Sequence, residues 1–368
     1  MGDCPGGCRV KDPVNFDARV SGCRLPILAV LAASVASAAF LPSAQAQTAV
    51  LHGKLVTIYV AGGAGGGVDA YARTLAPYLG KYLPGAPTVA VSNMPGGGGM
   101  QAVQYLYNVA AKDGTAVGTT NVGPVSEPQL GSIKVNYDIS KFRWVGSLAK
   151  GNTVCAFWHT SGVKTIDDVR QREFTIAATG ATSAPTRSAL LMNALIGTKF
   201  RPIAGYTGGT ALLAIERGEV DGTCTTLNSL LTTRPQWIKE NKLNILFHVA
   251  MKAEAGFEKY PVALDMVKDP EGRRALEFFL LPYEFNNPYM LPPGVSDAML
   301  AAYRKAFDAA VADKAYLADA SKRRQILQIE NGARVSAYVA QMNEMPQAII
   351  ERTKAMIDPK GKVDKKKQ

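Results

Sequence analysis

LVTIYVAGGAGGGVD, at residues 55–69, is a strand-like apolar run that meets a glycine loop and then the start of a helix. The same order recurs at residues 88–99, which read TVAVSNMPGGGG. A glycine loop that opens a helix leaves backbone N–H groups without intrahelical partners, at the positive end of the helix dipole. Glycine also lets a ligand approach the main chain closely. Two such loops on one sheet predict a site that holds a carboxylate or phosphate through backbone amides.

Beyond residue 50, strand-like and helix-like segments alternate in two sets. The first set predicts strands at 55–60, 88–91 and 116–120, with helices at 69–82 and 100–111. The second set predicts strands at 174–178, 201–206 and 222–226, with helices at 184–195 and 210–217. This alternation indicates parallel pairing with right-handed crossovers. Open α/β sheets bind ligands at the carboxyl ends of their strands, so we expect the site there.

Extended apolar runs at 142–149, 154–158 and 243–250 would carry the chain from one set to the other and back. The run Phe278–Leu281 and helices at 296–312 and 335–356 would rejoin the first set. We therefore predict an α/β fold of two lobes, each a mainly parallel sheet flanked by helices, joined by two crossover strands. Such a fold closes on a ligand by hinge motion. The predicted boundaries place lobe 1 at 47–147 and 250–356, and lobe 2 at 148–249.

The first 46 residues have the order of a secretory signal peptide. Arg19 and Arg24 precede an apolar stretch at 25–41, and Ala44-Gln45-Ala46 fits the small-x-small cleavage pattern. Residues 1–18 are long and irregular for an ordinary leader, so we expect translation to begin later than Met1. A membrane anchor is the alternative, but Pro26 leaves an apolar run shorter than the ~20 residues that a span needs. We predict export to the periplasm.

The composition is that of a globular protein. The chain has 368 residues, of which 47% are apolar and 19% charged, and its formal net charge is +11. Four basic and three acidic residues fall within the first 46, so the remainder carries +10. Its basic residues are dispersed except at 357–368, which predicts a disordered basic tail. Because no nucleic-acid motif is present, we expect an anionic small molecule as the partner rather than nucleic acid.

Cys155 and Cys224 are the cysteines that remain after the leader is removed. In an exported protein such a pair can form a disulfide, and two buried thiols on neighbouring strands are the equal alternative. The three histidines, His52, His159 and His248, are scattered and lack the spacing of metal ligands. We therefore predict neither a metal nor a cofactor.

Several further segments, taken with the glycine loops, carry a resemblance to a known family through their order and spacing. They are NMPGGGG at 93–99, AKDGT at 111–115, NYD at 136–138, YTGG at 206–209, GEVD at 218–221 and LPPG at 291–294. From about residue 55 to about residue 356, the chain resembles the periplasmic receptors of tripartite tricarboxylate transporters, often called Bug proteins. Those receptors have a type II periplasmic-binding-protein fold.

The resemblance implies an extracytoplasmic receptor that is not an enzyme and that acts as a monomer. It would capture a small organic anion, commonly a di- or tricarboxylate, and deliver it to the membrane components of a tripartite tricarboxylate transporter. Loop amides, hydroxyls and waters would hold the carboxylates. The residues of this chain that match the binding loops are Gly65, Gly66, Gly67, Asp69, Asn93, Gly97, Gly98, Gly180, Thr182, Ser183, Tyr206, Gly208, Gly209, Thr225 and Thr226.

The chain departs from the family pattern in three places. Val60–Ala64 replaces a proline-phenylalanine-proline stretch, the loop at 179–183 is one residue shorter, and Thr225-Thr226 replaces an aspartate-asparagine pair. Losing that acid removes a hydrogen-bond acceptor for ammonium or hydroxyl groups of a ligand. The departures therefore favour a plainer carboxylate, with an apolar or aromatic body.

Two other functions fit parts of the sequence. Residues 65–70 satisfy the loose dinucleotide fingerprint G-x-G-x-x-A, which would make the chain a nucleotide-dependent oxidoreductase. That fingerprint needs an acidic residue at the end of the second strand to hold a ribose, but this strand ends at Ser92-Asn93. The second alternative is a two-lobed receptor for a sulfonate or a phosphate ester, because the same amide-rich loops suit those anions.

Overall fold

The computed structural model describes residues 51–131, 134–180, 183–206, 208–358, 360 and 364–365. The predicted signal peptide at 1–46 lies outside the described residues. The predicted tail at 357–368 is described only in part, and within it Asp364–Lys365 forms a two-residue strand. Along the described ranges, no helix combines the length and apolar character needed to cross a bilayer.

Strands and helices alternate along much of the chain. The strands are β1 (Leu55–Val60), β2 (Thr88–Asn93), β3 (Ala116–Thr119), β4 (Arg143–Ala149), β5 (Thr153–Trp158), β6 (Phe174–Ala178), β7 (Phe200–Ala204), β8 (Gly222–Thr226), β9 (Leu243–Val249), β10 (Asn286–Leu291), β11 (Glu330–Asn331) and β12 (Asp364–Lys365). The helices are α1 (Gly67–Tyr82), α2 (Met100–Asn108), α3 (Val122–Leu130), α4 (Ile166–Gln171), α5 (Ala184–Ile196), α6 (Gly208–Glu216), α7 (Leu227–Thr233), α8 (Pro235–Lys239), α9 (Ala263–Met266), α10 (Pro270–Leu280), α11 (Asp297–Ala312), α12 (Lys314–Lys322), α13 (Gly332–Asn343) and α14 (Gln347–Ile357).

These strands form two sheets. The first has the order β11-β4-β10-β3-β1-β2, and the second has the order β12-β7-β6-β8-β5-β9. In the first sheet β1 runs parallel to β2 and β3, and in the second sheet β6 runs parallel to β7 and β8. Antiparallel strands extend each parallel core, through β10, β4 and β11 in the first sheet and β5 and β9 in the second. The predicted α/β class is confirmed.

We call each sheet with the helices that flank it a lobe. The chain crosses from the first lobe to the second at residues 150–152, between β4 and β5, and leaves the second lobe after β9. At the first crossing the Gly151 amide donates to Tyr283 O across 2.7 Å, and Lys150 pairs with Glu284 and Glu330. The exact boundaries predicted for the lobes remain predictions.

The helix α1 illustrates why these segments fold locally as they do. Its buried positions Ala72, Leu75, Ala76 and Leu79 recur at helical spacing and face the sheet. Asp69 lies in its first turn, where the helix dipole favours a negative charge. The helix therefore packs its apolar stripe on the sheet and leaves its N-terminus at the carboxyl end of β1.

Three elements near the junction of the lobes differ from the sequence-based expectation. Helix α3 was not predicted, because two prolines and a glycine lie within its nine residues. The run Phe278–Leu281 was expected to return the chain to the first set, but Phe278–Leu280 ends helix α10. The strand that returns the chain is β10, at Asn286–Leu291.

The buried apolar side chains form clusters on the faces of the two sheets. One cluster joins the lobes: it contains Val103 and Trp144 of the first lobe, Phe157 and Phe174 of the second, and Phe279 of α10. Helix α14 packs against α10, α5 and α3 in the same region. The two lobes thus share one apolar core on the side of the crossing segments.

Cys155 and Cys224 are directly opposite each other in the antiparallel pair of β5 and β8, and they form a disulfide. This outcome selects one of the two alternatives that the sequence left open. The bond ties the antiparallel strand β5 to β8, a strand of the parallel core of the second sheet.

Candidate functional site

The first glycine loop is organised around the buried carboxylate of Asp69, which is 2% exposed. Its Oδ2 accepts from the Gly65 amide at 2.8 Å and from Arg73 Nε at 3.0 Å. Its Oδ1 accepts from Asn93 Nδ2 at 2.9 Å, and the same Asn93 amide group donates to Gly62 O at 3.2 Å. Through these hydrogen bonds, Asp69 in the first turn of α1 holds the conformation of the first glycine loop.

The charge of this network is balanced. Burial by itself would raise the pKa of Asp69, but hydrogen bonds from Arg73, the Gly65 amide and Asn93 outweigh it, and the pKa lies below its ordinary value. Asp69 is consequently ionised at neutral pH, and the Arg73 guanidinium compensates its charge. An anion near the loop does not face an uncompensated carboxylate.

The three predicted glycines of this loop have different roles. The Gly65 amide donates to Asp69, and the Gly66 amide donates to Gly63 O at 3.3 Å. The amides of Gly67 and Val68 lie in the first turn of α1 and have no acceptor among the described residues. In this loop, then, the open donors belong to the start of the helix.

The second glycine loop has four successive residues with positive φ, from Gly96 (137°) through Gly97 (54°) and Gly98 (66°) to Gly99 (101°). Only glycine adopts such a run without strain. A Cβ on Gly99 would lie 3.0 Å from Ala61 O, so the second loop rests closely on the first. Gly97 and Gly98 are exposed, and within the described ranges their amides have no acceptor. This loop presents backbone donors to solvent.

Helix α3 begins beside the second loop. Its N-cap is Asn121, whose side chain accepts from the Gly123 amide at 3.0 Å. Pro124 packs against Gly99, with its Cγ 3.1 Å from the position of a Cβ there. Three loops of the first lobe, those after β1, β2 and β3, therefore meet at one edge of the sheet.

In the second lobe, the loop after β6 folds around a single carbonyl. Gly180 O accepts from the Ser183 amide at 3.1 Å, from Ser183 Oγ at 2.8 Å and from Thr186 Oγ1 at 2.7 Å. The Ser183 hydroxyl, predicted as a ligand donor, thus bonds within its own loop and keeps lone pairs for accepting. Thr182 lies outside the described residues.

The remaining predicted residues of the second lobe follow β7 and complete β8. Tyr206 is buried, its ring packs in an apolar cluster with Trp237, and burial raises the pKa of its hydroxyl. Gly208 and Gly209 open helix α6. Thr225 and Thr226 are half-buried, pair with β5, and directly precede helix α7. The parallel strands β6, β7 and β8 place these loops at one edge of the second sheet.

Four of the helices that begin at these edges lack side-chain caps, whereas α3, which follows β3, is capped by Asn121. No side chain caps α1 at Gly66, α2 at Gly99, α5 at Ser183 or α7 at Thr226. Five helices that begin elsewhere, α4, α10, α11, α12 and α13, each have a capping side chain. Helices α8, α9 and α14 also begin without one. The first four begin just after parallel strands, where amides without an acceptor can bind an anion.

The chemistry of these loops is that of binding. Among the described residues, no group of three or more His, Cys, Asp or Glu side chains is placed to hold a metal ion. At the end of β2, where a dinucleotide site needs an acid for the ribose, Asn93 bonds instead to Asp69, Gly62 and Arg73. The arrangement offers amide and hydroxyl groups to an anion.

Sequence reasoning missed three contributors to this region, namely Arg73, Asn121 and the ion pair of Glu127 with Arg187. Asn121 directly follows a strand and is a common N-cap residue, so it was a usable signal. Arg73 lies four residues after Asp69, the spacing of an ion pair on a helix. Glu127 and Arg187 are 60 residues apart, and no local pattern links them.

No protein-family model matches the chain, and no curated protein matches it in sequence. Solved structures do match its fold. A TctC solute-binding protein from Polaromonas is 18% identical, with a TM-score of 0.64 over 83% of this chain and 98% of that protein. MatC from Rhodopseudomonas palustris, solved with bound malate, is 19% identical, with a TM-score of 0.57 over 82% of this chain and 98% of that protein.

The periplasmic binding protein BugD is a third match, 18% identical, with a TM-score of 0.57 over 85% of this chain and 99% of that protein. These matches span nearly the whole of each solved protein, and they support the expected two-lobed architecture. The chain therefore has the fold of these periplasmic solute-binding proteins.

Proposed function

We propose that the protein is a periplasmic solute receptor of the tripartite tricarboxylate transporter type, which captures a small organic anion between its two lobes. The observation that carries the proposal is the set of four uncapped helix N-termini, two in each lobe, that follow parallel strands. At α1 the amides of Gly67 and Val68 have no acceptor among the described residues, whereas at α7 the Leu227 amide donates to Asn152 O at 2.8 Å. Amides without an acceptor at the positive end of a helix dipole suit an anion. A ligand with a carboxylate at each end would accept hydrogen bonds from the amides of one lobe at one end and from those of the other lobe at the other end.

The charges at the loops indicate the class of ligand. Asp69 is compensated by Arg73, and the residues that end β8 are Thr225 and Thr226 instead of an acid. The site therefore offers little to an ammonium group and does not repel an anion. We propose a di- or tricarboxylate, or an aromatic carboxylate, held by the amides of Gly67 and Gly97 in the first lobe and by those of Gly208 and Gly209, which open α6, in the second.

An exported receptor is consistent with the cysteine chemistry. Disulfides persist in oxidising compartments such as the bacterial periplasm, and Cys155 is bonded to Cys224. Together with the signal-peptide order of residues 1–46, this supports a periplasmic location. Ligand binding would favour the closed form by its higher affinity for that form, and the membrane components of the transporter would recognise it.

A thermal-shift screen of the purified protein tests the proposal. The panel contains malate, adipate, citrate and benzoate, with methanesulfonate, a phosphate ester and a nicotinamide dinucleotide as competing classes. A ligand at about 100 times its Kd stabilises the native state by about 2.7 kcal/mol, which is readily seen as a raised melting temperature.

We expect one of the carboxylates to raise the melting temperature, and calorimetry then to give one site per chain. If only the sulfonate or the phosphate ester raised the melting temperature, the protein would be a receptor for that class of anion and not for carboxylates. A shift with the dinucleotide, followed by turnover in a hydride-transfer assay, would overturn the receptor proposal in favour of an oxidoreductase.

A further inference from the structure

A buried ion pair joins the two lobes. Arg187 Nη2 donates to Glu127 Oε2 at 3.0 Å, and the side chains are only 9% and 5% exposed. Glu127 lies on α3 of the first lobe, and Arg187 lies on α5 of the second. The ion pairs of Lys150 with Glu284 and Glu330, at the first crossing, are more exposed, with side chains that are 17–29% exposed. The burial of this pair sets it apart.

Two buried tyrosines interact electrostatically with the pair. The charge of Glu127 adds to burial in raising the pKa of Tyr137, whose hydroxyl donates to Pro124 O at 2.7 Å. On the other side, burial raises the pKa of Tyr283 to about 12 against the opposing charge of Arg187. Both tyrosines are buried. Because little water reaches the pair, the buried Glu127 carboxylate depends on Arg187 for compensation of its charge.

The pair also connects two of the binding loops. In the first lobe, Pro124 of α3 rests on Gly99 of the second glycine loop, one turn before Glu127. In the second lobe, Thr186, which directly precedes Arg187, donates to Gly180 O in the loop after β6. The chain of contacts therefore runs from one half-site through the ion pair to the other.

We propose that Glu127 and Arg187 are positioning residues that hold the two half-sites at the separation needed to bind one ligand. This inference rests on the proposed function, in which a single anion contacts both lobes. The pair restrains the lobes because separating it would leave the buried carboxylate of Glu127 without its cationic partner. With the pair intact, a large fraction of the protein has the lobe separation that binds the ligand. The apparent affinity is proportional to this fraction.

The alternative is that the pair only stabilises the shared core. Two variants of the full chain separate these roles. Glu127→Leu combined with Arg187→Met removes both charges and keeps apolar volume, a replacement that is often neutral or stabilising for buried pairs. Glu127→Gln keeps the shape and one acceptor oxygen but removes the negative charge. Glu240→Gln combined with Lys242→Gln is the matched control, because that pair is exposed and lies within the second lobe.

Small-angle X-ray scattering of the ligand-free protein is the first measurement. We expect both Glu127→Leu/Arg187→Met and Glu127→Gln to have a larger radius of gyration than the wild type, and the control to be unchanged. This measurement needs no ligand, so its outcome does not depend on the proposed ligand class. Equal radii in all four proteins would overturn the positioning role.

Calorimetry with the best acid of the panel is the second measurement. We expect the double variant to bind about tenfold more weakly than the wild type, as for a tenfold smaller competent fraction, while its melting temperature stays close to that of the control. Unchanged affinity would overturn the proposal and leave the pair with a structural role. If no acid binds the wild type, the proposed function fails, and the scattering result still decides whether the pair holds the lobes.

Discussion

The side-chain amide of Asn93 donates to Asp69 Oδ1 at 2.9 Å and to Gly62 O at 3.2 Å, so both of its donor positions are engaged. Its Oδ1 accepts from Arg73 Nη2 at 2.8 Å. Asn93 was predicted from the sequence as a ligand contact. In the structure its side chain ties the end of β2 to the first glycine loop, so we propose that it supports the amides of that loop instead of contacting the ligand.

A double-mutant cycle tests this support role. We expect Asn93→Ala and Asp69→Ala each to weaken ligand binding, with the double variant little weaker than either single one, because both act through the same loop. Residues in one hydrogen-bond network couple by about 0.5–3 kcal/mol. Calorimetric Kd values for the four proteins give the coupling, and strictly additive losses would instead indicate that Asn93 contacts the ligand itself.

The pH dependence of stability reports the charge of Asp69. Because its folded-state pKa lies below the ordinary value of 3.8, the ionised form stabilises the fold above that value, and this is lost as the pH falls through the folded-state pKa. We expect Asp69→Asn to lower stability by about 1–3 kcal/mol near neutral pH. The difference from the wild type should close below pH 3.8. Denaturant titrations across this range measure it, and a gap that persisted in acid would contradict an ionised Asp69.

Gly97 tests the close approach of ligand to backbone. Gly97→Val should weaken binding by tenfold or more, because the side chain covers the exposed amides of the second loop and disfavours their backbone conformation. Gly197→Val is the control: its φ of 73° is also positive, it has open space around it, and it follows the far end of α5. Both variants should lose comparable stability, on the order of 1–2 kcal/mol. Equal affinities in the two would place the ligand elsewhere.

The disulfide contributes to stability and not to recognition. Cys155 and Cys224 are 69 residues apart, and closing a loop of that length stabilises by about 4 kcal/mol in the chain-entropy account. We expect Cys155→Ala with Cys224→Ala to lower the melting temperature by on the order of 10 °C. Ligand affinity should change less than about threefold, since both sulfurs are buried in the sheet. An unchanged melting temperature on reduction would contradict this assignment.

Much of the fold could be predicted because its signals are local. The strands at 55–60, 174–178 and 222–226 have the predicted bounds, since apolar runs and glycine boundaries mark them in the sequence itself. Helix α3 escaped prediction because Pro124 and Pro128 oppose it locally, and packing against neighbouring elements outweighs that preference.

The candidate site was predictable only as a set of loops. Glycine runs after strands indicate that some backbone amides lack acceptors. The sequence does not show which of these amides donate hydrogen bonds within the protein. The Gly65 amide, for instance, is taken by Asp69, whereas that of Gly67 is open. The pairing of Glu127 with Arg187 depends on the placement of two sheets, so it could not be read from either segment.

The apolar cluster that unites Trp144, Phe157 and Phe279 has a consequence for folding. Removing either lobe would expose a large apolar surface on the other, so we expect that neither lobe folds independently. Calorimetric melting is accordingly expected to give one cooperative transition rather than two, and engineered fragments should aggregate unless their complement is co-expressed. The two lobes that are expected to close on a ligand are thus also expected to form one cooperative folding unit.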